Sequence, residues 1–159
     1  MMHNFYKIFE YDPVTLPEKD IDKVYTYQVE QVEQRFNKHQ QQGKQHFAIL
    51  LDEQVIGDIY LKQIDQMTRS CEMGIHLVND TYKNKGYGTQ AEKLLLKYAF
   101  EKLGLAIVYA NTLLNNDRSK HVLSKVGFKE THSDAQRCYF ECRRDTWKCL
   151  PPLDNDIIA

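Results

Sequence analysis

The segment NDTYKNKGYGTQAEKLLLKYAF, residues 79–100, places Gly86 and Gly88 directly before a strong helical pattern. The N-terminus of a helix exposes unpaired N–H groups and carries a partial positive charge. Glycines let an anion approach such a backbone closely, and Lys83 and Lys85 add full charges nearby. The segment therefore predicts a phosphate-binding loop, with a glycine-rich turn and solvated lysines as the alternative.

Two general phosphate-binding motifs fit this segment poorly. A Walker A loop needs Lys-Ser or Lys-Thr after its glycines, and neither follows here. Residues 86–91 satisfy the Rossmann pattern GxGxxA, but NDTYKNK separates the first glycine from the preceding strand-like run. The next strand-like run ends in Thr112-Leu113-Leu114, without the acidic residue that would bind a ribose. A dinucleotide-binding oxidoreductase is therefore the least favoured alternative.

The residues before this segment alternate between strand-like and helical patterns. Residues 5–12 predict a strand, and the capping box at 15–18 predicts the start of a helix. Two apolar runs within 46–65 flank residues 52–54 and predict a hairpin, and residues 70–78 predict a third strand. The helix predicted after the capping box ends in a polar loop at 37–45, and its face consists of Ile21, Val24, Tyr25, Gln28, Val32 and Phe36.

The residues after the glycines predict alternating helices and strands. Residues 106–114 are apolar on both faces, as in a buried strand, 117–127 predict a helix closed by a glycine, and two strands follow. The helix at 91–104 has Gly104 as its C-cap and an apolar face of Ala91, Leu94, Leu95, Tyr98, Ala99 and Leu103. An antiparallel meander that leads into an α/β unit is therefore predicted, as one domain over 1–150 with a loose tail at 151–159.

The composition restricts the class of protein. The 159 residues suit one domain, and 42% hydrophobic and 27% charged residues are ordinary for a globular chain. A formal net charge of −1 gives no global field that would attract nucleic acid or an anionic membrane. The N-terminal stretch shows no signal-peptide pattern and no apolar run is long enough to span a membrane, so we expect a cytoplasmic protein.

The cysteines predict neither a metal site nor a disulfide framework. Cys71, Cys138, Cys142 and Cys149 form no CxxC pair, so a zinc ribbon is not expected. Reduced thiols are the simplest interpretation for a chain without a secretion signal.

Three segments resemble the GNAT superfamily of acyl-CoA-dependent N-acetyltransferases. Residues 83–88 resemble its motif A, Gln/Arg-x-x-Gly-x-Gly/Ala, with Lys83 in place of Gln or Arg. CEMGIHL (71–77) and NDRSKHVLSKVGFKE (116–130) resemble the strand and the NxxSxxvlxKxGF signature of the branch that acts on ribosomal-protein N-termini and similar amines. The resemblance implies a mixed, largely antiparallel central sheet flanked by helices, with a splayed strand pair for acyl-CoA.

The resemblance also implies how acetyl-CoA is held. Backbone amides of the glycine loop bind the pyrophosphate of coenzyme A, and free backbone groups of strand 70–78 bind the pantetheine and the thioester. Asn116 is expected to orient the pantetheine, with helix capping as the alternative. No metal is expected. The implied acetyl-CoA-binding residues are His76, Leu77, Val78, Lys83, Asn84, Lys85, Gly86, Tyr87, Gly88, Thr89, Asn116 and Ser119.

Acetyl transfer to an amine needs a positioned thioester, a polarised carbonyl and proton movement from the amine to the leaving thiolate. By resemblance Glu72 is the predicted base, with a structural ion pair as the alternative, and Glu141 is the second candidate. Ser119 is the implied proton donor, because Leu123 stands where many members have a tyrosine. Hydrogen bonding at a helix N-terminus is the alternative for Ser119, and a catalytic His76 side chain is a further alternative.

The sequence therefore predicts an enzyme that transfers an acetyl group from acetyl-CoA directly to a primary amine, on a protein N-terminus or a small molecule. A non-catalytic acyl-CoA-binding sensor is the alternative, and only turnover with an amine separates the two. The amine acceptor is the expected partner, membrane and nucleic acid are not, and a homodimer stays open. The identity of the acceptor is not predicted.

Overall fold

The computed structural model describes residues 28–148, except for the side chain of Phe36. The predicted strand at 5–12, the capping box at 15–18 and the tail at 151–159 lie outside these residues, as does Cys149. No helix among the described residues is long and apolar enough to cross a membrane.

The described residues form one six-stranded mixed sheet with helices. Its strand order is β1-β2-β3-β4-β6-β5, and all neighbours are antiparallel except β3 and β4. This arrangement confirms the predicted mixed, largely antiparallel α/β fold. The elements are α1 Val29–Gln41, β1 Gln45–Leu51, β2 Gln54–Asp65, β3 Ser70–Leu77, a 3-10 turn Asp80–Tyr82, α2 Tyr87–Lys97, a π-helical turn Tyr98–Lys102, β4 Ile107–Leu113, α3 Asp117–Val126, β5 Lys129–Ser133, β6 Arg137–Arg143 and α4 Arg144–Trp147.

The predicted hairpin is confirmed, with a tight loop. Asp52 and Glu53 connect β1 to β2, and both have positive φ angles, of 47° and 66°. Positive φ at both loop residues is the geometry of a type I′ turn, whose twist matches that of the flanking strands. The loop therefore fixes the register in which β1 and β2 pair, with Leu51 opposite Gln54.

The pairing of β3 with β4 covers only one end of the two strands. Ser70–Glu72 pair in parallel with Ile107–Tyr109, and no pairing between these strands follows beyond Glu72. The remaining part of β3 stays paired with β2 up to Leu77. The two strands therefore form a fork that opens beyond Glu72, which confirms the predicted splayed pair.

The backbone of β3 offers hydrogen-bonding groups to this fork. The N–H of Val78 donates to the carbonyl of Ile56 at 2.9 Å, so it faces β2. Since successive residues of a strand direct their backbone groups to opposite sides, His76 also faces β2, whereas Leu77 and Ile75 face the fork. The N–H group of Val78 is therefore already bound to β2, and the backbone of His76 has the same orientation, so of the three residues predicted to offer free backbone groups only Leu77 faces the fork.

Helix α2 begins four positions earlier than the predicted 91, at Tyr87, so Gly88 lies inside it. Its buried face also differs from the predicted one, since Leu94 is 52% exposed whereas Leu96 is fully buried. The π-helical turn after Lys97 adds a residue to one turn, which lets both Ala99 and Phe100 pack into the core. The regular 3.6-residue repeat on which the prediction rests does not hold through this turn.

The predictions for helix α1 and strand β4 are wrong in three respects. Helix α1 continues through the polar residues to Gln41, because Gln and Lys are good helix formers, and the chain turns at Gly43 with φ of 65°. The predicted helix does not run through Gln28, whose backbone is extended, and α1 begins at Val29. Strand β4 is not buried on both faces, since Tyr109 is exposed.

We expect Gly74→Ala to destabilise the fold by about 1–3 kcal/mol, the usual effect of overpacking. A Cβ at Gly74 would lie 2.4 Å from the Tyr60 ring, on the facing position of β2. Urea unfolding of the variant measures the loss. The double variant Tyr60→Ala/Gly74→Ala is the control: relative to Tyr60→Ala alone, the second change should have little effect. Wild-type stability in Gly74→Ala would contradict the close contact.

Candidate active site

A large cavity opens at the fork between β3 and β4. Its volume is about 960 Å³, and β2, β3, β4, β6, α1, α2 and α3 all contribute to its wall. Of the residues predicted to bind acetyl-CoA, the structure brings His76, Leu77, Lys83, Asn84, Gly86, Gly88, Thr89, Asn116 and Ser119 to this wall. Val78, Lys85 and Tyr87 are not part of it.

The glycine loop leads directly into the N-terminus of α2. Asn84 and Gly86 adopt left-handed backbone angles, with φ of 59° and 86°, which reverse the chain just before the helix. A Cβ at Gly86 would meet nothing within 4 Å, and one at Gly88 would meet only Ile75 and Leu77 at ordinary contact distance. The space beside both glycines is therefore open for a ligand, and the N–H groups of the first helical turn face a suitable anion site.

The lysines of the loop lie in different environments. Lys83 lines the cavity, and its Nζ lies 2.6 Å from Oδ1 of Asp80. Lys85 is exposed outside the cavity wall. Of the two, Lys83 is therefore the one placed to add a cationic side chain to the anion site.

Glu72 lies at the last paired position before the fork. Its Oε1 contacts Nζ of Lys62 at 2.8 Å and accepts a hydrogen bond from Nδ2 of Asn111 at 2.9 Å. The Oδ1 of Asn111 in turn accepts from Arg137 at 2.6 Å. The side chain of Glu72 is 21% exposed, so its carboxylate is oriented by β2 and β4 and still faces the cavity.

A buried carboxylate that the sequence did not point to lies further along the same cavity wall. Asp58 on β2 is 3% exposed, and its two oxygens contact His46 at 2.5 Å and His76 at 3.2 Å. Burial acts to raise the pKa of Asp58, but the hydrogen bonds from His46 and His76 outweigh it and lower that pKa to about 2. Asp58 therefore stays ionised and orients His76, whose side chain is 52% exposed. An acidic residue within the apolar run VIGDIY was the available signal.

Aromatic rings extend this cluster toward α1. The Tyr60 ring packs edge-on against His46, with ring centroids 5.6 Å apart, and the Nδ1 atoms of His39 and His46 are 3.3 Å apart. Burial, then the charge of Lys44, lowers the pKa of His39 to about 4. His39 is consequently neutral at physiological pH.

Helix α3 closes the other side of the fork. Asn116 is its N-cap, and Oδ1 of Asn116 accepts a hydrogen bond from the Ser119 N–H at 3.1 Å. The capping alternative for Asn116 is therefore observed, and both residues also line the cavity. Leu123, at the position where many members of the resembled superfamily have a tyrosine, is buried.

Glu141 and the described cysteines do not contribute reactive groups to the fork. The structure does not bring Glu141 to the cavity wall, and its carboxylate accepts a 2.7 Å hydrogen bond from Arg143. Cys71, Cys138 and Cys142 are buried, and burial raises the pKa of Cys71 and Cys142 to about 12. These two thiols are poor nucleophiles at neutral pH. Within residues 28–148, no group of three His, Cys, Asp or Glu side chains could hold a metal ion.

A second buried carboxyl group lies on α2. Glu92 is 2% exposed and lines the cavity, and burial raises its pKa to about 8. Its Oε2 has no hydrogen-bond partner among the described residues. The sequence does not single out Glu92, because the apolar pattern places the buried face of the helix at Ala91, Leu94 and Leu95.

The forked sheet, the glycine loop at a helix N-terminus and the carboxylate at the fork define an acyltransferase fold that binds an extended, phosphate-bearing acyl donor. A family model described as the acetyltransferase (GNAT) domain matches residues 7–129. The chain belongs to this family. It is an acetyl-CoA-dependent N-acetyltransferase, and acetyl-CoA is its co-substrate.

Individual relatives support this assignment. Acetyltransferase PseH of Campylobacter jejuni is 30% identical over 115 residues, which cover 72% of this chain and 70% of that protein. Spermidine N(1)-acetyltransferase of Escherichia coli is 30% identical over 94 residues, which cover 58% of this chain but only 50% of that protein. The crystal structure of spermidine N-acetyltransferase from Vibrio cholerae in complex with CoA and spermine has a TM-score of 0.69 at 19% identity, covering 92% of this chain and 88% of that one. At that identity the last comparison shows the fold.

Proposed function

We propose that this enzyme transfers the acetyl group to the primary amine of a small molecule or a protein N-terminus, in the cytoplasm, with Glu72 as the base. The observation that carries the proposal is the position of Glu72, at the fork where β3 leaves β4 and within the same cavity as the glycine loop. An alkyl amine with a pKa near 10.4 is mostly protonated at neutral pH, so a base must free its lone pair. In the proposed complex, Leu77 and Ile75 bind the pantetheine through backbone groups.

The basic residues of the cavity favour an acceptor that carries an anionic group beside its amine. Arg35 on α1, Lys44 before β1 and Lys62 on β2 line one side of the cavity, since the charges of Arg35 and Lys62 both act on Lys44. Burial lowers the pKa of Lys44, and the positive charges of Lys62 and other neighbouring residues lower it further. This second effect shows that the basic residues repel one another. The two carboxylates on this side are already engaged, Asp58 by histidines and Glu72 by Lys62. A polycation would therefore bind here less well than an anionic amine.

A panel of amines, with release of coenzyme A followed by a thiol reagent, tests this proposal. Glucosamine and glucosamine 6-phosphate form a matched pair that differs only in the phosphate, and spermidine represents the polycations. We expect the phosphorylated amine to have a kcat/KM at least about tenfold higher than its partner, equivalent to about 1.4 kcal/mol. Preference for spermidine would contradict the anionic-acceptor proposal. Binding of acetyl-CoA without turnover of any amine would favour the sensor alternative.

Coenzyme A binding should weaken with added salt, because salt screens the charged phosphates of the approaching cofactor from the positive charge of Lys83, whose side chain is 10% exposed. Titration calorimetry between low and high ionic strength measures the effect. Lys83→Ala should reduce the salt dependence, whereas Lys85→Ala is the matched control and should change it less, since Lys85 lies outside the cavity wall. An affinity that does not depend on salt would contradict the role of Lys83.

A further inference from the structure

The buried polar side chains of the described residues all lie at one place. They are Asp58, Glu92, Thr112 and Asn116, and each of them lines the cavity at the fork. Histidines bind Asp58 and Asn116 caps α3, but Oε2 of Glu92 has no hydrogen-bond partner in the part of the chain that the structure describes. A buried polar atom without a partner is destabilising and calls for a functional explanation.

The position of Glu92 relates it to the fork. Gly88 faces Ile75 and Leu77 of β3, and Glu92 follows one helical turn later, on the same side of α2. The next turn carries Leu95, which packs in the core cluster that includes residues near the start of β3. Glu92 therefore lies on α2 between the turn that faces Ile75 and Leu77 and the turn that packs in the core. This position is next to the part of β3 that has just separated from β4.

We propose that Glu92 is the general acid that protonates the thiolate of coenzyme A as it leaves. The amine nitrogen forms a bond to the acetyl carbon, the carbon–sulfur bond breaks, and the sulfur takes the carboxyl proton of Glu92. The amine nitrogen gives its extra proton to the base, the base releases that proton to solvent, and solvent restores the proton on Glu92. The products are the acetylated amine and coenzyme A with a neutral thiol, so atoms and charges balance. This assignment rests on the proposed acetyl transfer to an amine.

The environment of Glu92 keeps the required proton in place. Burial raises its pKa to about 8, and no neighbouring charge contributes to that shift. Glu92 is accordingly a carboxyl group that carries a proton at neutral pH, unlike Asp58. The ionisable groups that β2, β3, α3 and β6 contribute to the same cavity are Asp58, Tyr60, Lys62, Glu72, His76, Arg118, Arg137 and Tyr139.

A proton donor on α2 also fits a site without the usual tyrosine. Ser119 lines the same cavity and can donate a hydrogen bond to the sulfur, but a serine hydroxyl is a weak acid that needs its own proton source. A carboxyl group with a pKa close to that of a thiol is well matched for the transfer. Glu92 on α2 therefore supplies the proton that a tyrosine at the position of Leu123 on α3 would otherwise donate.

Glu92→Gln tests the proposal, because glutamine keeps the size of the side chain and cannot transfer a proton. We expect kcat to fall by roughly 10- to 100-fold, at or below the lower end of the usual range for general acid catalysis, since a thiolate is already a good leaving group. The KM for acetyl-CoA should stay within about twofold of the wild type. The wild-type kcat should decline above about pH 8 as Glu92 loses its proton, and the variant should lack this decline.

A stability measurement and a control variant separate a catalytic role of Glu92 from a structural one. Melting temperatures from pH 5 to 8 should fall more steeply for the wild type than for Glu92→Gln, because over this range the unfolded wild type ionises Glu92 while the folded protein keeps its proton. Glu101→Gln, an exposed glutamate just beyond α2, is the matched control and should leave kcat unchanged.

The rates decide the assignment. A Glu92→Gln rate within about twofold of the wild type, or the same alkaline decline in both forms, overturns it. If Glu92→Gln does not fold, a wild-type kcat that stays constant from about pH 7 to 10 overturns it as well. A wild type without turnover contradicts the proposed function instead.

Discussion

Glu72→Gln should lower kcat by roughly 100- to 10,000-fold, the usual contribution of general base catalysis, while acetyl-CoA binding stays nearly unchanged. Glutamine keeps an oxygen that can accept the hydrogen bond from Asn111 and the contact from Lys62. It removes only the ability to accept a proton. The acyl donor is expected to bind through the glycine loop and the β3 backbone, which the substitution does not touch.

The pH dependence distinguishes a base from a structural residue. The loss in Glu72→Gln should shrink as the pH rises from about 6 to 10, because more of the amine then arrives deprotonated. Steady-state kinetics of both forms over this range measure the ratio of rates, in which any titration shared by both forms cancels. A structural role predicts a loss of stability or of acetyl-CoA affinity that does not vary in this way.

Glu141→Gln is the matched control, since Glu141 is the second candidate base and lies outside the cavity wall. We expect its kcat to stay close to that of the wild type. Near-normal turnover of Glu72→Gln at neutral pH would transfer the role to another group or to water. In that case His76, which Asp58 orients at the cavity, is the next side chain to replace.

The overall fold could be predicted because local signals and global pattern agree. The loop at Asp52-Glu53, the apolar runs around it and the glycine after Val126 mark their elements clearly. The boundaries of α2 are less predictable. Gly88 inside a helix contradicts propensity, and the π-helical turn after Lys97 breaks the helical repeat, so the pattern places Leu94 on the wrong face.

The candidate site could be predicted only where its residues are neighbours along the chain. The loop at 83–88 carries its own signal, since its glycines and lysine are close in sequence. Asp58, His46 and His76 come together only through the register of β1, β2 and β3, which no single segment reveals. The buried position of Glu92 depends on the unexpected face of α2. Tertiary placement, which the sequence alone does not display, therefore determines most of the chemistry of this cavity.

Gly88→Val should abolish coenzyme A binding, with a loss of at least about 100-fold or 2.7 kcal/mol, in a protein that remains folded. Gly88 lies within α2 and is not among the glycines with positive φ, so a side chain there does not demand forbidden backbone angles. Its Cβ would lie 3.8 Å from Ile75 and 3.9 Å from Leu77, which is ordinary contact. The methyl groups beyond it would occupy the space where the pyrophosphate is expected to approach the helix N-terminus.

Gly86→Ala provides the opposite signature and is the matched control. Gly86 has φ of 86°, and an added Cβ would meet nothing within 4 Å, so alanine there strains the backbone without filling the site. We expect it to lower the stability by about 1 kcal/mol and to weaken coenzyme A binding only modestly. Circular dichroism, thermal unfolding and titration calorimetry on both variants separate the two effects. A folded Gly88→Val protein that binds coenzyme A normally would show that the pyrophosphate lies elsewhere, and the glycine loop would then be a turn that only starts α2.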